Sequence, residues 1–357
     1  MRSKITFTLF VSSFCTFLLS GGETPSTALL VLSKGNHALM IVDPATLQVA
    51  GQAPSGPDPH EVIASADGRI AYISNYGSGA YNTITVVDLA GQKNLPIIDL
   101  GPLRGPHGLE FVGGKLWFTA EGAKAIGSYD PTAKKVDWIL GTGQNRTHMI
   151  FVSSGLKRIF TSNVSSGTIS IIEKTTRRPG GPGPGGPRAG GPPPPPRGPG
   201  QGGPPAADWN ETVIRVGNGA EGFDVSPDGG EIWAANAQDG TISVIDVQSK
   251  KVIQTLDANV RSANRLKFTP DGTQVFVSML GGPDLVVFDA ASRKEVKRVK
   301  LGHGAAGILM DPDGRRAFVA CTPDDYVAVV DLKSLEVTGH IAAGKGPDGL
   351  AWAVRGH

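Results

Sequence analysis

The chain has 357 residues, of which 39% are hydrophobic and 18% charged, and its formal charge is +2. Such a length and mix place it among soluble globular proteins with a large core. The near-neutral charge excludes capture of nucleic acid by electrostatic attraction.

The first 22 residues, MRSKITFTLFVSSFCTFLLSGG, set Arg2 and Lys4 before an apolar run from Ile5 to Leu19, with small residues after it. This is the layout of a secretory signal, cut near Gly22–Glu23, and the run is too short for a stable membrane span. Bulky Phe14 before Cys15 argues against a lipid-attachment cysteine. Cleavage leaves 32 basic against 32 acidic side chains. It also removes Cys15, so Cys321 in AFVACTP has no intrachain partner and reads as a small buried hydrophobe. A leader, residues 23–27, then precedes one folded unit, residues 28–357.

From there the chain repeats. An apolar strand ending in an acid recurs at Asp43, Asp88, Asp130, Glu173, Asp246, Asp289 and Asp331, at intervals of 45, 42, 43, 73, 43 and 42 residues. The long interval contains RRPGGPGPGGPRAGGPPPPPRGPGQGGPP, residues 177–205, a disordered or polyproline insertion in the fourth complete repeat. Its Arg177, Arg178, Arg188 and Arg197 would give at most weak contact with an acidic polymer, and a solvated spacer is the simpler reading.

Residues 219–257 show the repeat most plainly. GFDVS, EIWAAN, TISVID and VIQTLD read as four short strands a to d, with the turn PDGG between a and b. The turn recurs as SADG, TPDG and DPDG. Four antiparallel strands every 43 residues or so describe a propeller blade. The folded part begins with strand b, ALLVLSKG (28–35), and ends with an orphan strand a, PDGLAWAV (347–354). Pairing the last strand with the first three closes a ring and removes its open edges. The predicted fold class is therefore all-β: a seven-bladed β-propeller with four antiparallel strands per blade. Asp at the end of each strand c reads as a cap for its own turn, and Trp117, Trp233 and Trp352 as core between blades.

TISVIDVQSKKV, AFVACTPDDYVAVVDLKSLEV and the SPDG turn resemble the YVTN family of seven-bladed β-propellers, over the whole mature chain except the Pro/Gly tract. The resemblance implies a secreted or periplasmic protein. Propellers of similar build include lactonases, lyases and electron-transfer subunits, so the fold does not settle the activity.

Aligning the starts of strand a gives one column: His60, His107, His148, Glu221, Asn264, Ala306 and Asp348. Chain geometry puts this column on the rim of the central channel, beside the b–c loops that carry His37, Asn75, Tyr76, Glu121, Asn163 and Asn236. Arg104, Arg146, Arg261, Arg265 and His303 fall nearby. The predicted ligand site is His60, His107, His148, Glu221, Asn264, Asp348, Arg146 and Arg265.

Three readings follow. In the one adopted, the chain is a binding or scaffold module whose channel mouth takes a small molecule or a protein ligand. In the second it is a metal-dependent hydrolase or lyase of lactonase type. There His60, His107 and His148 hold a divalent metal, zinc or copper, and Glu221 or Glu121 is the catalytic base. In the third it is a redox or electron-transfer partner. No nucleophile elbow, phosphate loop, His-Glu-x-x-His or haem-attaching Cys pair is present.

Overall fold

The computed structural model describes residues 24–176 and 207–356. The predicted signal, residues 1–22, and the insertion, residues 177–205, lie outside the described residues. Among the described residues, twenty-eight strands form seven four-stranded antiparallel sheets. No α-helix occurs among the described residues, so none is long and apolar enough to cross a membrane.

Blade 1 is discontinuous in sequence: Pro347–Val354 pairs with Thr27–Ser33, which continues to Ala38–Asp43 and Gln48–Pro54. Thr27 pairs with Val354 and Leu30 with Ala351, and the Arg355 amide donates to the Ser26 carbonyl at 2.8 Å. Blades 2 to 7 follow in chain order, with inner strands Pro59–Ala64, Pro106–Val112, Thr147–Val152, Ala220–Val225, Ala263–Phe268 and Ala305–Met310. Each inner strand packs on the next, and that of blade 7 packs on Pro347–Val354. The ring is closed, as the orphan C-terminal strand requires.

Burial follows strand position. In blade 5, Glu231–Asn236 and Thr241–Asp246 carry runs of fully buried side chains, because both faces meet neighbouring blades. The outer strand Lys251–Asp257 is mostly exposed, since it forms the rim of the disc. Trp233 packs against the inner strands of blade 6, Trp117 against blade 4 and Trp352 against blade 7. Cys321 is fully buried and free.

The acid ending strand c works as expected in six blades. Asp43, Asp88, Asp130, Asp246, Asp289 and Asp331 each accept backbone N–H groups of their own turns. Glu173 departs because strand c of blade 4 runs on to Thr176 and pairs with Ala207–Arg215. With no tight turn to cap, Glu173 instead pairs with Arg158 at 3.1 Å and Lys250 at 2.6 Å. The first strand also differs in extent: it stops at Ser33, and Lys34 and Gly35 turn to bond Gly346 and Lys345. Thr24 of the leader is buried, its hydroxyl on the Leu89 carbonyl at 2.7 Å.

Candidate functional site at the channel mouth

Every inner strand starts the same way. Two residues before the predicted column, the backbone turns left-handed: Asp58, Gly105, Arg146, Gly219, Ser262, Gly304 and Gly346 all have φ between 45° and 73°. Four of the seven are glycine, which takes this conformation freely. Asp58 and Arg146 hold it at a cost of about 1 kcal/mol each. Both send their side chains into the mouth.

A register shift follows the turn: Pro59 pairs with Asn75 but Val62 with Ile73, and the same slip occurs in every blade. The bulge aims the column residue and its successor at the channel. Hydroxyls of the neighbouring strand hold it. Thr119 Oγ1 accepts the Gly108 amide at 2.9 Å and donates to the His148 carbonyl of the next blade at 2.7 Å. Ser162 likewise links the Met149 amide to the Glu221 carbonyl, and Ser278 the Arg265 amide to the Ala306 carbonyl. These relays fix the column from blade to blade.

The three predicted imidazoles do become neighbours. The ring centroids of His60 and His107 lie 4.6 Å apart, and those of His107 and His148 3.8 Å apart. Tyr76 packs against His60 at 4.9 Å and His107 at 5.0 Å. His60 and Tyr76 meet His107 edge-on, while the His107 and His148 rings are tilted by 36°.

His148 sits between two carboxylates. Its Nδ1 bonds Glu121 Oε1, and its Nε2 lies 2.9 Å from Glu221 Oε1 in an ion-pair contact without the alignment of a hydrogen bond. Tyr76 donates its hydroxyl to Glu121 Oε2 at 2.5 Å. Arg146 lies 3.6 Å from Glu121 and 3.5 Å from Glu221. Burial would strip the His148 proton, but the charge of Glu221 and the hydrogen bond and charge of Glu121 win, and its pKa is raised. Glu221 follows the same logic: burial pushes its carboxyl up, the charges of His148, Arg146 and Arg265 pull harder, and it falls to about 2. The Tyr76 hydroxyl rises to about 12, from burial first and then its bond to Glu121.

A second cluster stands beside it. The Lys34 ammonium donates to His60 Nδ1 at 2.7 Å and lies 3.2 Å from Asp58 and 3.3 Å from Asp348. Asp58 is held well below the usual carboxylate range by the His60 imidazole 3.8 Å away and by the charge of Lys34, against desolvation. Below these groups, Arg265 of blade 6 reaches across the channel to Glu61 of blade 2. No two blades of a seven-membered ring are farther apart, so this pair floors the mouth. Asn264 holds Arg265 through its carbonyl and side-chain oxygens, at 3.2 and 3.3 Å.

All eight predicted ligand-site residues thus belong to one connected mouth, together with Glu121. Lys34, Asp58 and Glu61 join them and were missed. Asp58 had a signal in its place two residues before His60, and Glu61 in directly following it. Other expected rim groups do not converge. His37 is exposed, and His303 is 82% exposed on its side chain and pairs with Asp324. Asn75, Asn163 and Asn236 turn inward and donate to strand c hydroxyls. Arg104 and Arg261 bond loop carbonyls.

The donor set does not suit the expected zinc or copper. Among the described residues, no group of three or more His, Cys, Asp or Glu side chains is placed to hold a metal ion. The reason is local. Carboxylates flank both nitrogens of His148, Lys34 takes His60 Nδ1, and His107 is buried with neither nitrogen bonded.

Comparison with known proteins places the fold. The family profile of the cytochrome D1 heme domain matches residues 203–315. No curated protein matches the sequence. A functionally unknown protein from Desulfotomaculum acetoxidans superposes with a TM-score of 0.69 at 14% identity, over 91% of this chain and 98% of its own. A putative 6-phosphogluconolactonase from Bacteroides fragilis gives 0.67 at 13% identity, over 92% and 98%. Dihydro-heme d1 dehydrogenase NirN, in complex with DHE, gives 0.59 at 14% identity; the match covers 88% of this chain but only 63% of that one. At these identities the likeness is one of fold.

The mouth residues do not fit a haem in this arrangement. The matched segment contains a single histidine, the exposed His303, and the three imidazoles lie outside it. His107, the imidazole with both nitrogens unbonded, has the His148 ring at 3.8 Å and the His60 ring at 4.6 Å, which leaves no room for a macrocycle against it.

Proposed function

We propose that the chain is a secreted or periplasmic propeller of YVTN type that binds a ligand at the mouth of its central channel. One observation carries this reading. Eight acidic and basic side chains (Lys34, Asp58, Glu61, Glu121, Arg146, Glu221, Arg265 and Asp348) gather around the histidines at one end of the ring, several of them buried. Burying charge is costly even when paired, and blade 7 makes the same turn with plain Ala306. Closing the ring therefore does not demand these groups.

Binding is favoured over catalysis by the state of the same residues. Glu221, with a pKa near 2, is too weak a base to take a proton at neutral pH. The pKa of His148 is raised, which favours its protonated form, and carboxylates stand at both of its nitrogens. Residues 1–22 act in this reading as an export signal, and 177–205 as a solvated spacer.

Native mass spectrometry of the protein isolated from its exporting host tests the proposal. It predicts a small molecule that copurifies with the wild type and is lost from Arg146→Ala. A molecule retained by Arg146→Ala and by Lys34→Ala, or a wild type that carries none and shows no thermal shift with a metabolite panel, would overturn it.

A further inference from the structure

Among the described residues, His107 is the buried imidazole with no hydrogen bond at either nitrogen. A bare buried donor and acceptor costs stability that an apolar ring of similar shape does not. The fold has no need of them: the same place is Ala306 in blade 7, and the strand there is shaped by the turn and the hydroxyl relay. The ring stays neutral because burial, then the neighbouring His148, His60, Arg265 and Arg146, oppose its protonation.

The ions around it are already spent. Asp58, Asp348, Glu61, Glu121 and Glu221 each have a Lys or Arg partner within 3.6 Å. What the mouth has left to offer is therefore uncharged: one N–H and one lone pair on His107, under the half-exposed rings of His60 and Tyr76. Resting on the channel-mouth reading above, we infer that His107 is a ligand-binding residue and that its ligand is an uncharged hydroxyl-bearing molecule of the sugar or polyol class. One hydroxyl donates to the bare nitrogen and another accepts from the N–H. His60 and Tyr76 turn aside to admit them.

The test uses the full chain and three matched probes, neutral D-glucose, anionic gluconate and cationic glucosamine, with binding read by saturation-transfer NMR. Glucose should bind the wild type at least tenfold more tightly than His107→Phe, and more tightly than either charged probe. His107→Gln, which keeps a neutral donor and acceptor, should retain binding. His107→Phe should also melt higher, by about 2 °C, since it removes two unsatisfied groups. A merely structural histidine would give the opposite, a lower melting temperature. The inference is overturned if His107→Phe and His107→Leu are both less stable, if glucose binds wild type and His107→Phe alike, or if it binds neither. Should a charged probe bind best and depend on Arg146 or Asp58, the mouth remains a ligand site and only the neutral class fails. If no probe binds and the variants are destabilised, both readings fall together.

Discussion

The cross-channel pair gives the sharpest stability prediction. Arg265 and Glu61 have side chains only 6% and 13% exposed, and they join blades at opposite sides of the ring. Replacing Arg265 by Met keeps most of the volume and leaves the Glu61 carboxylate buried without its cation. Breaking a buried pair in this way costs about 3–5 kcal/mol. The described propeller spans about 300 residues, so its unfolding entropy is about 0.6 kcal/mol/K, and the loss corresponds to about 5–8 °C in Tm. Differential scanning calorimetry of the wild type, Arg265→Met, Glu61→Leu and the double variant measures it. Removing both charges should recover most of the loss, because neither is then left alone. A single Arg265→Met variant within about 1 °C of the wild type would refute the reasoning, and with it the blind channel.

Three further outcomes are expected. Arg146→Gly should relieve a left-handed backbone worth about 1 kcal/mol yet take the guanidinium from Glu121 and Glu221, so denaturant titration should find a net loss of stability; a gain would mean that the ion pairs contribute nothing. Glu221 is depressed from 4.5 to about 2, so its pairing stabilises the fold above pH 4.5 and is lost as pH falls through about 2, at most about 3 kcal/mol. His148 is raised above 6.5, so the same network is fully stabilising below that pH and weakens as pH rises through the folded value. A stability–pH profile should therefore show the Glu221–His148 contribution, isolated with His148→Gln, greatest between about pH 4.5 and 6.5; a flat difference would contradict the pairing. Lastly, Ser162→Ala cuts the relay between Met149 and Glu221 and should cost about 1 kcal/mol, while a neutral result would show that the bulge holds itself.

Much of this was legible in the chain, for stated reasons. Strand grammar survives because six aspartates must each cap a turn, and the odd Glu173 marks the one turn that is replaced by a longer hairpin. The column from His60 to Asp348 was found because every repeat starts strand a at the same offset. What escaped was direction. A left-handed turn at residue 58 swings Asp58 inward, and a bulge puts Glu61 into the channel beside His60, where a regular strand would alternate them away. Lys34 looked like the end of a strand, but the chain turns there. The Arg265–Glu61 bridge links blades whose nearness exists only after closure. The three imidazoles come together as expected, but the metal reading does not follow from that alone: Lys34 occupies His60 Nδ1 and carboxylates face both nitrogens of His148.

Selective histidine labelling with long-range ¹H–¹⁵N NMR from pH 5 to 8 tests the central claim most directly, because it reads the proton on each ring. The account predicts that His148 titrates above pH 6.5, while His107 stays neutral and does not titrate. Two rings titrating together near pH 6.5, with the shifts of solvent-exposed imidazole, would show that the buried, charge-ordered mouth does not exist.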